Sequence, residues 1–135
     1  MAEEQPIAFE GARKTAEVYA KNPAKVAELL DEAQEKARQE EDRLRDIWEH
    51  LHALLRLVAA WLDGRYTVIP WKTIVLAIAS IIYFVNPFDL ILDFLPGVGY
   101  LDDIAVIGFV MNSIRKDIAR FLDWESSTGP SEPVS

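Results

Sequence analysis

The 135-residue chain has no cysteine, which removes disulfides, thiolate zinc sites and cysteine nucleophiles at once and leaves the redox compartment undetermined. Histidine is nearly as scarce. His50 and His52 stand two apart, so a helix turns them to different faces, and they cannot form the i,i+4 pair of a zinc site; both are expected at the surface. Positive charge is in deficit, with 14 basic residues against 22 acidic ones and a net charge of -8, which repels phosphate backbones and makes nucleic acid a poor partner. The opening "MAEEQPIAFEG" has neither the positive nor the apolar part of a secretory signal, so it is expected to remain cytoplasmic. No lipidation box is present. Between Lys72 and Arg115 there is no Lys or Arg at all, although that stretch carries Asp89, Asp93, Asp102 and Asp103.

What the chain does have is helical periodicity. Half of its residues are apolar and 27% are charged, a globular balance suited to one domain. Phe9, Ala12, Ala16 and Tyr19 recur at steps of three and four, predicting a short amphipathic helix within residues 1–22. Asn22 and Pro23 form a start signal, an N-cap followed by a residue preorganised for the first turn. From Val26 to Trp61 a heptad seam continues through Leu30, Ala33, Ala37, Leu44, Ile47, Leu51, Leu54 and Val58, broken only at Glu40. A continuous helix over this stretch would be roughly 60 Å long. An antiparallel return onto neighbouring helices is the expected packing, with a coiled coil to another chain as the alternative; Glu40 with Glu41 and Asp42 could also divide the stretch in two.

Gly64 closes this region, 23–65, and Pro70 opens the next. Residues 73–85 read "TIVLAIASIIYFV", apolar on every side, so the helix belongs in a core or in lipid. Ser80 within it is explained by a hydroxyl bonding the preceding turn, not as a nucleophile. A second apolar segment from residue 104 becomes amphipathic beyond Met111, keeping Ile107, Met111, Ile114, Ile118 and Phe121 on one stripe. Residues 66–124 thus form an apolar helical hairpin, and the polar tail 125–135 is expected to lack structure. The fold class is all-α: a long amphipathic helix packed on an apolar hairpin with an Asp-rich connection.

Local helix chemistry accounts for most of the carboxylates in "NPFDLILDFLPGVGYLDD". Asn86 caps a helix that Pro87 begins, with Asp89 at its favoured third position. Pro96 and Gly97 suit a type II turn, and Asp102 or Asp103 starts the last helix. Asp93 is left over, one turn from Asp89 on the same face, where like charges repel. Compensation would come from Arg65, Lys72, Arg115 or Lys116, or from a divalent cation held by Asp89, Asp93, Asp102 and Asp103.

The stretch "YFVNPFDLILDFLPGVGYLDD" resembles the YkvA-like family, domain of unknown function 1232. Asn86, Pro87, Asp89, Asp93, Pro96, Gly99, Asp102 and Asp103 match its signature, while Leu92 stands where the family usually has proline. The resemblance implies a helical hairpin and membrane association, and it implies no established activity, cofactor or substrate.

Residues 68–85 could just reach across a bilayer, whereas residues 104–114 span only about half of one. Trp71 and Lys72 before the hairpin and Arg115 and Lys116 after it are the expected headgroup anchors and would keep both ends cytoplasmic. The expectation is a non-enzymatic protein of structural or adaptor type on the cytoplasmic side of a bacterial membrane, with lipid as partner and a protein partner or second copy as further possibilities. A cation or acid-base site in the Asp cluster, serving a hydrolytic or transport-linked task, is one alternative; a soluble helical interaction domain is another.

Overall fold

The computed structural model describes the backbone of residues 7–86 and 103–128, and the side chains within them except those of 7–12, 103–106 and 128. All regular structure among the described residues is helical: α1 (Ile7–Ala20), α2 (Pro23–Gln39), a 3-10 turn (Arg45–Ile47), α3 (Trp48–Leu62), α4 (Trp71–Val85), α5 (Asp103–Ser113) and α6 (Arg115–Thr128). The fold is all-α. Its ends follow local chemistry. Asn22 caps α2, its side chain accepting from the Lys25 amide at 3.3 Å, with Pro23 in the first helical position. Gly64 adopts φ +77° after α3, and the Gly64 and Arg65 amides donate to the Trp61 and Ala60 carbonyls at 3.1 and 3.0 Å. That pair of bonds closes the helix as a Schellman motif, which requires a left-handed residue.

The single long helix expected over 23–65 is two helices. Residues 40–44 form turns and lead into the 3-10 turn; the Glu40 amide donates to the Lys36 and Ala37 carbonyls, and Arg43 pairs with Glu40. The reason lies in what the seam must cover. Helix α4 has 15 residues, about 22 Å, and a rod of roughly 60 Å would carry most of its apolar seam past the end of its partner. Bending at 40–47 lays both α2 and α3 on α4. Leu44 and Ile47 remain buried through the bend.

Helix α4 is the axis of the molecule. All twelve residues from Thr73 to Phe84 are buried, because α1, α2, α3 and α5 pack around it. The apolar helix therefore has its cover within the chain, the core setting of the two, core or lipid, that its all-round apolar surface allows. Each of its larger aliphatic side chains contributes about 1.5–3 kcal/mol by leaving water. Among the described side chains of α1, the buried ones are Ala16 and Ala20, small residues that allow a close approach. Ser80 donates to the Ala77 carbonyl at 2.9 Å, so its buried hydroxyl is satisfied within its own helix.

The final segment also divides. Ser113 donates to the Phe109 carbonyl at 3.0 Å, a back-bond of the kind that bends helices, and α5 passes into α6 at Ile114 with the i,i+4 bonds of Ile114 and Ile118 intact. The stripe survives the bend, since Ile107, Ile114, Ile118 and Phe121 are all buried. Helix α6 runs on to Thr128, into the stretch 125–135 expected to lack structure. Glu125 pairs with Arg56 at 2.7 Å, and Ser127 donates to the Asp123 carbonyl at 3.0 Å, which holds that last turn.

Candidate functional site

Of the residues singled out in the sequence, those at the start of α4 and the start of α6 come together. Thr73 Oγ1 donates to Asp117 Oδ2 at 2.5 Å, tying the first turn of α4 to the first turn of α6 across 44 positions of sequence. Trp71 and Lys72 therefore share one end of the molecule with Arg115 and Lys116. All four are exposed.

The link between α3 and α4 is fixed against the same end. The Tyr66 ring is buried and meets Phe121 edge-on at 5.2 Å and Trp124 at 4.9 Å. Burial raises its hydroxyl pKa above the ordinary tyrosine value, with Arg120 opposing the shift and Asp117 adding to it. Trp61 and Trp71 stand 6.4 Å apart between ring centroids. The backbone from Tyr66 to Pro70 is thus held at both ends, yet Val68 is 67% exposed and Trp71 45%, two large apolar side chains presented to the outside by an anchored loop. Lys72, Arg115, Lys116 and Arg120 make no ion pair among the described residues, whereas Arg65 pairs with Asp63 at 3.1 Å.

Asn86 leaves α4 at the opposite end. It follows Trp71 by a full helix, about 22 Å, and its amide donates to the Ile82 carbonyl at 2.8 Å to close α4. The four cations considered as counterions for the Asp segment, Arg65, Lys72, Arg115 and Lys116, are at the far end from Asn86. The cation that does reach the Asn86 end is Lys36 of α2, whose Nζ donates to the Phe84 carbonyl at 2.8 Å and lies 5.2 Å from the Phe84 ring centroid. A charged donor there satisfies an orphan carbonyl and complements the negative end of the helix. Nothing local marks Lys36 for this role, since its spacing on α2 is that of an ordinary i,i+4 partner of Glu32.

Pro87, Asp89, Asp93, Pro96, Gly97, Gly99 and Asp102 lie outside the described residues. Asp103 opens α5, as its position before the last apolar segment predicts, but its side chain lies outside them as well. The proposed cation cluster of Asp89, Asp93, Asp102 and Asp103 is therefore not described. Among the described residues no group of three His, Asp or Glu side chains could hold a metal ion.

Two other features complete the surface. His50 is exposed as expected, but His52 is half-buried, with its ring 4.4 Å from that of Trp48. Its Nε2 is buried without a hydrogen-bond partner among the described residues. Desolvation, reinforced by Arg56 and opposed by Glu49, holds its pKa below the ordinary histidine value. An open groove of about 480 Å³ runs between α3, α5 and α6, floored by Ala53, Gly108, Met111, Ile118 and Ala119.

The hairpin that organises this geometry carries the family signal. The model of the family described as "Protein of unknown function (DUF1232)" matches residues 73–109. The "Uncharacterized membrane protein YkvA" of Bacillus subtilis (strain 168) is 33% identical over 76 residues, which cover 56% of this chain and 72% of that protein. The chain belongs to the DUF1232 family. The family match begins at Thr73, the residue that ties α4 to α6, and ends inside α5, so it covers the central helix and part of its antiparallel companion. No solved structure matches the chain. No described helix is long and apolar enough to cross a membrane.

Proposed function

We propose that this DUF1232 protein is a peripheral membrane protein of structural or adaptor type, which lies against the cytoplasmic face of a bilayer through the end that carries Val68, Trp71, Lys72, Arg115 and Lys116. The observation that supports this most is the anchored 66–70 loop with Val68 and Trp71 exposed at its rim. Aromatic and aliphatic side chains beside basic residues sit well at headgroup depth, where the ring is amphipathic and the ammonium stays hydrated. The description of the Bacillus relative as a membrane protein favours the same reading. Docking by this end leaves α4 in its own core and requires no crossing of the bilayer. The charged outer faces of α2 and α3 then point away from lipid and remain available to a protein partner.

A protein-interaction role is the second reading, favoured by the groove between α3, α5 and α6. Flotation with liposomes tests the first and separates it from the second. The chain should float without detergent, and Val68→Ser with Trp71→Ser should return it to the aqueous fraction with its helicity unchanged. Gly108→Arg, which obstructs the groove, should leave flotation intact. Unmodified protein staying wholly in the aqueous fraction overturns the membrane reading.

A further inference from the structure

The chain is acidic overall, but its charge is not spread evenly over the fold. Residues 63–73 and 115–120, which the Thr73–Asp117 bond holds together, carry five of the 14 basic residues and two of the 22 acidic ones. Both acids are engaged, Asp63 with Arg65 and Asp117 with Thr73. Lys72, Arg115, Lys116 and Arg120 are exposed and have no ion-pair partner among the described residues. Elsewhere Arg38 pairs with Glu35, Arg43 with Glu40 and Arg45 with Asp42, close in sequence, and Arg56 reaches Glu125 across the fold.

Among the described residues, intramolecular electrostatics gives no reason for the unpaired set. Lys72, Arg115 and Lys116 fall in the first turns of their helices, where a cation opposes the helix dipole. Their charge is therefore left for something outside the chain. We infer that this end of the molecule selects anionic lipid headgroups, Lys72, Arg115, Lys116 and Arg120 meeting the phosphates while Val68 and Trp71 enter the boundary beneath them. The inference rests on the peripheral membrane reading and adds to it the class of lipid and a single orientation. The acidic remainder of the chain is repelled by the same surface, so the molecule is turned basic end down before contact.

The test is flotation with vesicles of phosphatidylcholine alone and of an equal mixture with phosphatidylglycerol. Each basic residue close to an anionic surface is worth about fivefold in partitioning, so the mixture should bind tighter, and high salt should remove the difference. Replacing Lys72, Arg115 and Lys116 together by Gln should weaken binding to the mixture by about a hundredfold and binding to phosphatidylcholine far less, with the circular dichroism unchanged. Equal binding to the two vesicles overturns the lipid selectivity and leaves peripheral docking standing. Absence of binding to both overturns the two together. Release from the mixture by millimolar inorganic phosphate at constant ionic strength would identify a soluble-anion site and overturn the assignment to a lipid surface.

Discussion

At the scale of single residues, the fold depends on a few polar side chains that reach across long stretches of sequence. Lys36 satisfies the last turn of α4 and Asp117 receives the Thr73 hydroxyl, so α2 and α6 each tie down one end of the central helix. His52 has the opposite character, a polar ring lodged beside Trp48 with a buried nitrogen that has no partner among the described residues. Its folded pKa lies below its ordinary value of 6.5, so the unfolded chain takes up the proton more readily than the folded one. Proton uptake by the ring therefore costs no stability above the unfolded pKa, and as pH falls through that value and on through the depressed folded pKa the native state is progressively penalised. His52→Phe should flatten the fall in urea midpoint between neutral and mildly acidic pH relative to the unmodified chain. Parallel pH profiles for the two proteins would show that another group carries the effect.

At the scale of elements, boundaries follow rules that act within one turn. The Asn22–Pro23 start and the Gly64 stop both stand where their residue types require. Gly64 has no neighbour within 4 Å of the position a Cβ would take, so its requirement is conformational and not steric crowding. Gly64→Ala should cost about 1–2 kcal/mol, the penalty for a left-handed backbone in a residue with a Cβ, read as a lower urea midpoint with an unchanged slope. A change below a few tenths of a kcal/mol would mean that the turn relaxes without cost. The bend at Ile114 is local too, following the Ser113 back-bond, but the break at 40–47 has a different origin. Glu40 marks a gap in the heptad seam, yet the sequence also permits a continuous helix, and the choice is made by the length of the helix being covered.

At the scale of the whole molecule, the central fact is that α4 is enclosed by four other helices. Helix α1 provides part of that enclosure with small residues, so a charge there should unseat it. Ala16→Glu places a carboxylate at a site with no solvent access, at a cost of several kcal/mol unless the helix moves away. The expected outcome is increased binding of a hydrophobic dye and concentration-dependent association in sedimentation, with most far-UV helicity retained. A monomer with unchanged dye binding would show that α1 is dispensable as cover.

The sequence by itself determined the all-α class, the Asn22 cap and the Gly64 stop, the all-round apolar character of α4 and, through "NPFDLILDFLPGVGYLDD", the DUF1232 family. It also marked Trp71, Lys72, Arg115 and Lys116, because an aromatic next to a cation and a pair of cations beyond an apolar run are local patterns. Only the tertiary structure decided what covers α4, that the amphipathic stretch must bend to do so, that Lys36 reaches its far end, and that Lys72 and Arg115 share a surface. Capping and periodicity act between residues a turn apart, whereas cover and charge segregation depend on which distant helices meet. Lys36 and Phe84, 48 positions apart, carry no mutual trace in the chain until the core has brought them together.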